Sequence, residues 1–194
     1  MLAAVILSGG SSSRMGSPKA LLPYQGRPFL EHLLEVTKHP KIGVRRVVLG
    51  AHAEPIAKAI ALSGDEIVIN EEWEKGQLSS LQAALRSLPK EVEGMLLFLI
   101  DHPLISASLI EELIATFYTT KAPIVLPVFE GKRGHPALFS AQLFGELETA
   151  PLDVGARAVV WAHAKELREM ATAEEGCVLN LNDPETFDRV TRLR

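Results

Sequence analysis

Arg14 and Lys19 are the two cations of a glycine- and serine-rich stretch, Leu7-Ser8-Gly9-Gly10-Ser11-Ser12-Ser13-Arg14-Met15-Gly16-Ser17-Pro18-Lys19. Glycines let a backbone approach a ligand closely, a guanidinium grips phosphate oxygens with a fork of N–H donors, and an ammonium adds a point charge. Two cations and a run of bare amides suit a triphosphate. A Walker loop is excluded by spacing, because Gly10 and Gly16 have five residues between them and neither Ser nor Thr follows Lys19. The dinucleotide pattern G-x-G-x-x-G is absent from the loop too, which argues against a nicotinamide-dependent reductase.

Four later stretches carry further chemistry. Asp101 directly follows the most apolar run of the chain, Gly94 to Ile100, and a carboxylate placed there can ligate Mg²⁺ beside substrate phosphates or serve as a turn aspartate. Its neighbour His102 is equally open to substrate contact and to an ordinary hydrogen bond. Gln77, Ser79 and Ser80 follow Gly76 at a helix entrance, where they suit either a base edge or N-capping. Glu130 to Phe139 holds Lys132, Arg133, Gly134 and His135, a loop fit for a second anionic substrate or a solvated hairpin tip. Asp153 and Arg157 form a local capping pair or an anion contact.

These residues need a frame. Leu2 to Leu7, Arg45 to Gly50, Glu66 to Asn70, Gly94 to Ile100, Ile124 to Val128 and Cys177 to Leu181 are apolar runs of strand length. Between them, Phe29 to Val36 and Glu54 to Leu62 carry helical spacing, a helix is expected to open at Lys19, and Gln77 leads into another that ends near Leu88. Ser106 is placed to cap the helix that follows Asp101. Strands alternating with helices imply right-handed crossovers and a mostly parallel sheet, which binds ligands at its strand carboxyl ends. Strand, glycine loop and helix in succession would bring a helix N-terminus to the phosphates.

The 194 residues suffice for one sizeable core, and 47% hydrophobic content without a membrane-length apolar run fits a soluble protein. Leu2 to Leu7 is too short for a signal peptide and lacks a basic flank, so the expected location is cytoplasmic. A formal charge of −4 gives no electrostatic basis for nucleic acid as the main partner, and the single Cys177 excludes an internal disulfide or a cysteine metal cluster.

The opening resembles that of the MobA and MocA nucleotidyltransferases, which attach a nucleotide to molybdopterin and whose wider relatives act on sugar phosphates. Their pattern, close to L-A-[AG]-G-x-S-x-R-M-G-x-x-K, is matched by Gly10, Ser12, Arg14, Met15, Gly16 and Lys19, with Ser8 in place of the usual alanine. The resemblance continues through G-Q-L-S-S-L, D-H-P and R-G-H-P-A-L-F to N-L-N-D-P-E, reaching from Leu7 to Glu185; Leu152 departs from the family's G-D-x-G-A-R.

It implies a single Rossmann-like three-layer α/β/α domain over residues 1–194, with a mostly parallel central sheet of the nucleotide-diphospho-sugar transferase type. It further implies transfer of a nucleoside monophosphate to a phosphorylated acceptor such as molybdopterin, with a sugar phosphate as the alternative, with Mg²⁺ as cofactor, no nucleic acid or membrane partner, and a molybdoenzyme or its chaperone as protein partner. Leu7, Ser8, Gly9, Gly10, Ser12, Arg14, Gly16, Lys19, Gln77, Ser79 and Ser80 are then nucleotide contacts. Lys19 falls at the α-phosphate, Arg14 at the β and γ oxygens, Asp101 and Asn182 at the metal, and Arg133, Gly134 and His135 at the acceptor. The Gly9-Gly10 pair is similar to the guanylyl enzymes, whereas the remaining motifs look more like the cytidylyl side, making CTP the expected donor and GTP the alternative. A nucleotide-binding chaperone without catalysis is the competing class.

Overall fold

Leu2–Ser8 (β1) is buried along its whole length and lies at the centre of the sheet. A computed structural model of the chain describes residues 1–12 and 15–192, so the assignment of Arg14 falls outside the described residues. β1 pairs in parallel with Ile42–Leu49 (β4) on one side and Gly94–Leu99 (β6) on the other. β4 continues to Ile67–Ile69 (β5) at one edge. Beyond β6 the sheet changes sense: Ala137–Ser140 (β9) runs antiparallel to both β6 and Ile124–Phe129 (β7), and Arg168–Ala171 (β10) pairs in parallel with β7 at the far edge. Lys132–Arg133 (β8) folds back on β7 as a short hairpin.

The strand pleat sorts side chains between two layers. Leu2, Ala4 and Ile6 of β1 share one core with Leu30 and Leu33 of Phe29–Val36 (α1), Ile56 of Ala53–Ala59 (α2) and the apolar stripe of Ala107–Thr120 (α4). Val5 and Leu7 face the other way, against Leu78, Leu81, Ala84 and Leu85 of Gln77–Arg86 (α3), Leu147 of Phe144–Thr149 (α5) and Val159 of Arg157–Ala162 (α6). The result is the expected three-layer α/β/α arrangement with a mostly parallel sheet. Among the described residues no helix is long and apolar enough to cross a membrane.

Two sequence expectations need correction. Lys19 opens only a single 3₁₀ turn, Lys19–Leu21, because Pro23 holds Leu22 extended and stops a helix there. The chain turns instead into a small hairpin, Pro23–Tyr24 (β2) with Arg27–Pro28 (β3), before α1 begins. Cys177 to Leu181 is not a strand: it follows a 3₁₀ turn, Glu175–Cys177, and its backbone bonds go to loops, from His135 N–H to the Cys177 carbonyl and from Leu181 N–H to the Asp101 carbonyl. The terminal helix, Pro184–Arg192 (α7), follows it.

Candidate active site

The parallel run of β1, β4 and β6 brings Ser8, Gly50 and Asp101 to one edge of the sheet. Gly9 and Gly50 sit so close that a Cβ on Gly50 would lie 2.4 Å from the Gly9 carbonyl oxygen, so small residues at both positions let the loop start flush against β4. Ala51 N–H donates to the Gly9 carbonyl at 3.1 Å, and His52 Nε2 donates to the Ser11 carbonyl at 2.7 Å. Ser12 Oγ accepts the backbone N–H of Lys19 at 3.1 Å, which closes the loop on itself. Gly10 and Gly16 stand in open space, and Leu7 and Ser8 are buried at the strand end. The expected helix N-terminus is not present here, since Lys19–Leu21 is a single 3₁₀ turn.

Lys19 reaches across to the C-terminal segment. Its ammonium donates to Asn182 Oδ1 and lies 3.9 Å from Asp101 Oδ2, joining three of the residues singled out by the sequence. Asn180 Nδ2 also donates to Asp101 Oδ2, at 3.0 Å. The Asp183 carboxylate caps α7 by accepting the N–H and hydroxyl of Thr186 at 2.8 and 3.1 Å. That leaves Asn182 beside Asp101, rather than at the helix cap.

Behind the aspartate lie two imidazoles, His102 buried and His135 half-buried. His102 Nε2 is 3.9 Å from Asp101 Oδ1, and the rings of His102 and His135 are 5.1 Å apart. Burial pushes His102 below the usual histidine value against the pull of Asp101, and burial with His102 nearby pushes His135 down to about 4. Both are neutral near pH 7. The Nδ1 atoms of both rings and Asn180 Oδ1 are buried without a hydrogen-bond partner among the described residues. Neutral imidazoles add no positive charge to this side of the site, leaving Lys19 as the cation nearest Asp101 among the described residues.

Ser79 and Ser80 prove to be interior residues of α3 rather than its cap. Asn70, closing β5, donates from Nδ2 to both hydroxyls at 2.9 and 3.0 Å and accepts the Glu72 N–H at Oδ1. Ser79 in turn donates to the carbonyls of Glu72 and Gly76. Both hydroxyls therefore order the turn that leads into α3, and Ser80 Oγ backs onto Gly9, whose added Cβ would lie 2.9 Å away. Gln77 is exposed at the helix start. Asn70 and Asn180 were not singled out from the sequence. Asn70 is an amide at the end of an apolar run and Asn180 a polar residue between Leu179 and Leu181, the one signal by which they are legible.

A cavity of about 400 Å³ opens between α3, α6 and the sheet. Gln77, Arg133, Gly134 and His135 line it, joined by Arg157 and Trp161. Arg133 lines it while its Nε pairs with Glu169 Oε1 of β10 at 2.7 Å. Asp153 does not cap α6: the residue before that helix is Ala156, with no side-chain cap.

Among the described residues there is no cluster of three His, Cys, Asp or Glu fit to enclose a metal. Asp101 and Asn182 offer a carboxylate and an amide oxygen that already gather one cation, the Lys19 ammonium. A hard divalent ion held by one or two protein oxygens, with substrate phosphates and water filling the rest, fits such a pair.

The model of the MobA-like NTP transferase domain matches residues 4–167. "Nicotine blue oxidoreductase" of Paenarthrobacter nicotinovorans is 31% identical over 79% of this chain and 78% of its own length. "Probable molybdenum cofactor guanylyltransferase" of Flavobacterium johnsoniae is 27% identical over 96% of this chain and 88% of its own. Of the "Bifunctional protein GlmU" relatives the chain spans much less, 37% of the length in Desulfotalea psychrophila. Among solved structures, Rv0371c of Mycobacterium tuberculosis superposes with a TM-score of 0.84 at 29% identity, covering 99% of this chain and 98% of that one. Its complex with manganese superposes at 0.78, with 25% identity and 98% and 97% coverage. With the glycine loop, the lysine and the aspartate gathered at one sheet edge and the family model spanning most of the residues, the chain belongs to the MobA-like NTP transferase family.

Proposed function

We propose that this protein is an Mg²⁺-dependent nucleotidyltransferase that moves a nucleoside monophosphate from a triphosphate, CTP by preference, to a phosphorylated acceptor, with molybdopterin the leading candidate. The observation that carries this reading is the convergence of Lys19, Asp101 and Asn182 at the mouth of the β1 loop. An acceptor phosphate oxygen attacks the α-phosphorus, the bond to the bridging oxygen breaks, and pyrophosphate leaves. The attacking oxygen is already anionic, so no general base is needed, and catalysis rests on positioning and charge neutralisation.

Lys19 would stabilise charge at the α-phosphate, and Arg14 would hold the β and γ oxygens. The loop amides from Ser8 to Ser12 would bind the phosphates, while Gly16 and Gln77 contact the nucleotide and Ser79 and Ser80 hold the base-side turn. Asp101 and Asn182 would hold the metal, which supplies charge neutralisation when bound; a manganese complex of the related Rv0371c supports divalent-ion use. A molybdoenzyme or its chaperone would receive the product.

Incubating the protein with CTP, GTP, ATP or UTP, Mg²⁺ and acceptor, and measuring pyrophosphate, tests the reading. Release with CTP that disappears in Asp101→Ala supports it; release with GTP alone transfers the preference to the guanylyl type of the Flavobacterium johnsoniae relative. No release with any donor, combined with thermal protection by one of them, would mark a nucleotide-binding chaperone. The Paenarthrobacter relative named as an oxidoreductase motivates a second arm, oxidation of reduced nicotinamide, for which no turnover is expected because the loop lacks the dinucleotide glycine pattern.

A further inference from the structure

The glycine loop after β1 owes its shape to the bonds that its carbonyls make. In a trans peptide the C=O of one residue and the N–H of the next point in opposite directions. The Gly9 carbonyl is turned toward the residues that follow β4, accepting Ala51 N–H at 3.1 Å, so Gly10 N–H faces the other way. The Ser11 carbonyl is turned to the same side, accepting from His52 Nε2 at 2.7 Å, so Ser12 N–H faces the other way too. β1 lies between β4 and β6, and the side away from β4 is therefore the side of β6, where Asp101 stands. Neither amide donates to another described residue. Two uncommitted N–H groups turned one way make a concavity for an anion.

Ser12 is held in an uncommon state. Its φ of +52° is left-handed, a conformation that a residue with a Cβ keeps only where its surroundings enforce it. Met15 N–H donates to the Ser12 carbonyl at 2.9 Å and Lys19 N–H to Ser12 Oγ at 3.1 Å, but both donors belong to the same loop and move with it. Among the described residues, His52 alone ties the Ser11–Ser12 peptide to an element outside the loop. It stands at the N-cap of α2 and makes no capping bond there, its half-buried ring being turned to the loop instead.

We propose that His52 is a positioning residue for the triphosphate: by holding the Ser11 carbonyl it aims the Ser12 amide at the phosphates. The placement of a triphosphate in this loop rests on the transferase reading. His52 acts through the peptide and needs no contact with the phosphates.

Proton–nitrogen correlation NMR with inorganic tripolyphosphate and Mg²⁺ reads the two amides separately. In the wild-type protein the Gly10 and Ser12 N–H resonances should both move downfield at saturation, as charge-assisted bonds form. His52→Phe keeps a ring and removes the donor. There the Ser12 shift should be lost, the Gly10 shift kept through Ala51, and the affinity lowered by about tenfold. His52→Gln restores an N–H donor and should bring the Ser12 shift back, with affinity within about threefold of wild type. Thermal melting of both variants checks that the fold is kept. In the transfer assay, His52→Phe should raise KM for the triphosphate by about tenfold with kcat within about threefold, the split that follows loss of uniform binding. The role assigned to His52 is overturned by a Ser12 amide that does not shift in the wild-type protein, by a His52→Phe protein that keeps both shift and affinity, or by equal loss at Gly10 and Ser12. A wild-type protein that binds tripolyphosphate through Ser12 yet releases no pyrophosphate from any donor loses the transferase reading and leaves the role of His52 standing.

Discussion

Asn180 Nδ2 donates to Asp101 Oδ2 at 3.0 Å, across 79 residues of sequence, and so orients the Asp101 carboxylate. An outer partner of a metal-binding carboxylate typically matters 10–100-fold. Asn180→Ala is expected to lower turnover by about that factor while leaving KM for the triphosphate within a few fold, because the phosphate loop is untouched. Steady-state kinetics on the variant check the split; a change confined to KM would contradict the positioning role.

Lys19 stands between two oxygens that the proposed metal would use. Lys19→Ala should reduce transfer by about a hundredfold, by analogy with loss of a single charge-stabilising donor. In the absence of nucleotide the same variant should bind Mn²⁺ more tightly than wild type, since the ammonium no longer competes for Asn182 and Asp101. Titration followed by electron paramagnetic resonance reads the metal directly, and weaker binding in the variant would show that the ammonium is not a competitor.

Asn70 satisfies two buried hydroxyls and one backbone N–H at once. Asn70→Ala leaves buried polar groups short of partners, so a loss of about 1–3 kcal/mol is expected from denaturant unfolding. Nucleotide affinity should fall with it, because Ser80 backs the first glycine of the loop.

Gly176 is pressed against the Asp101 loop: a Cβ there would lie 1.9 Å from the Leu104 carbonyl oxygen. Backbone cannot swing aside as a flexible side chain does. Gly176→Ala should destabilise by about 1–3 kcal/mol, as overpacking does, and displace the loop carrying Asp101. Melting temperature together with Mn²⁺ affinity tests both consequences.

His135 supplies a pH dependence. Its folded value of about 4 lies below the ordinary 6.5, so between these values the unfolded chain binds the proton and the folded chain does not. Stability therefore rises with pH through that window and is lost as the pH falls toward 4. The groups facing the ring are His102, which shares the direction, and Asp101, which opposes it. His135→Gln should flatten the acid side of a melting-temperature profile between about pH 6.5 and 4, provided its amide keeps the neutral contacts.

The parts legible in sequence were those whose burial is written in composition. β1 and β6 are continuous apolar runs, and α3 carries its apolar stripe beside the serines, so the sheet centre and the loop edge follow from local pattern. β10 escaped because Arg168-Glu169-Met170-Ala171 is an exposed edge with no apolar run, and β9 because four residues after a charged loop look like its continuation. Cys177 to Leu181 has strand composition, yet its hydrogen bonds serve two loops, a choice made by tertiary neighbours. Lys19, Asp101 and Asn182 were each recognisable singly. Their contact spans 163 residues, and the engagement of Arg133 by Glu169 spans 36, distances at which local pattern carries no pairing information.

The reversed direction of β9 divides the sheet into two parts with different freedom to change. β5, β4, β1 and β6 offer their carboxyl ends to the glycine loop, whereas β9 offers its amino end, where His135 enters the cavity beside α3. On the transferase reading proposed above, substitutions in 130–161 outside β9 would remodel what is accepted without altering the register of the strands beside the glycine loop. The architecture is a fixed chuck with an exchangeable jaw, and libraries aimed at new acceptors should confine their diversity to that second half.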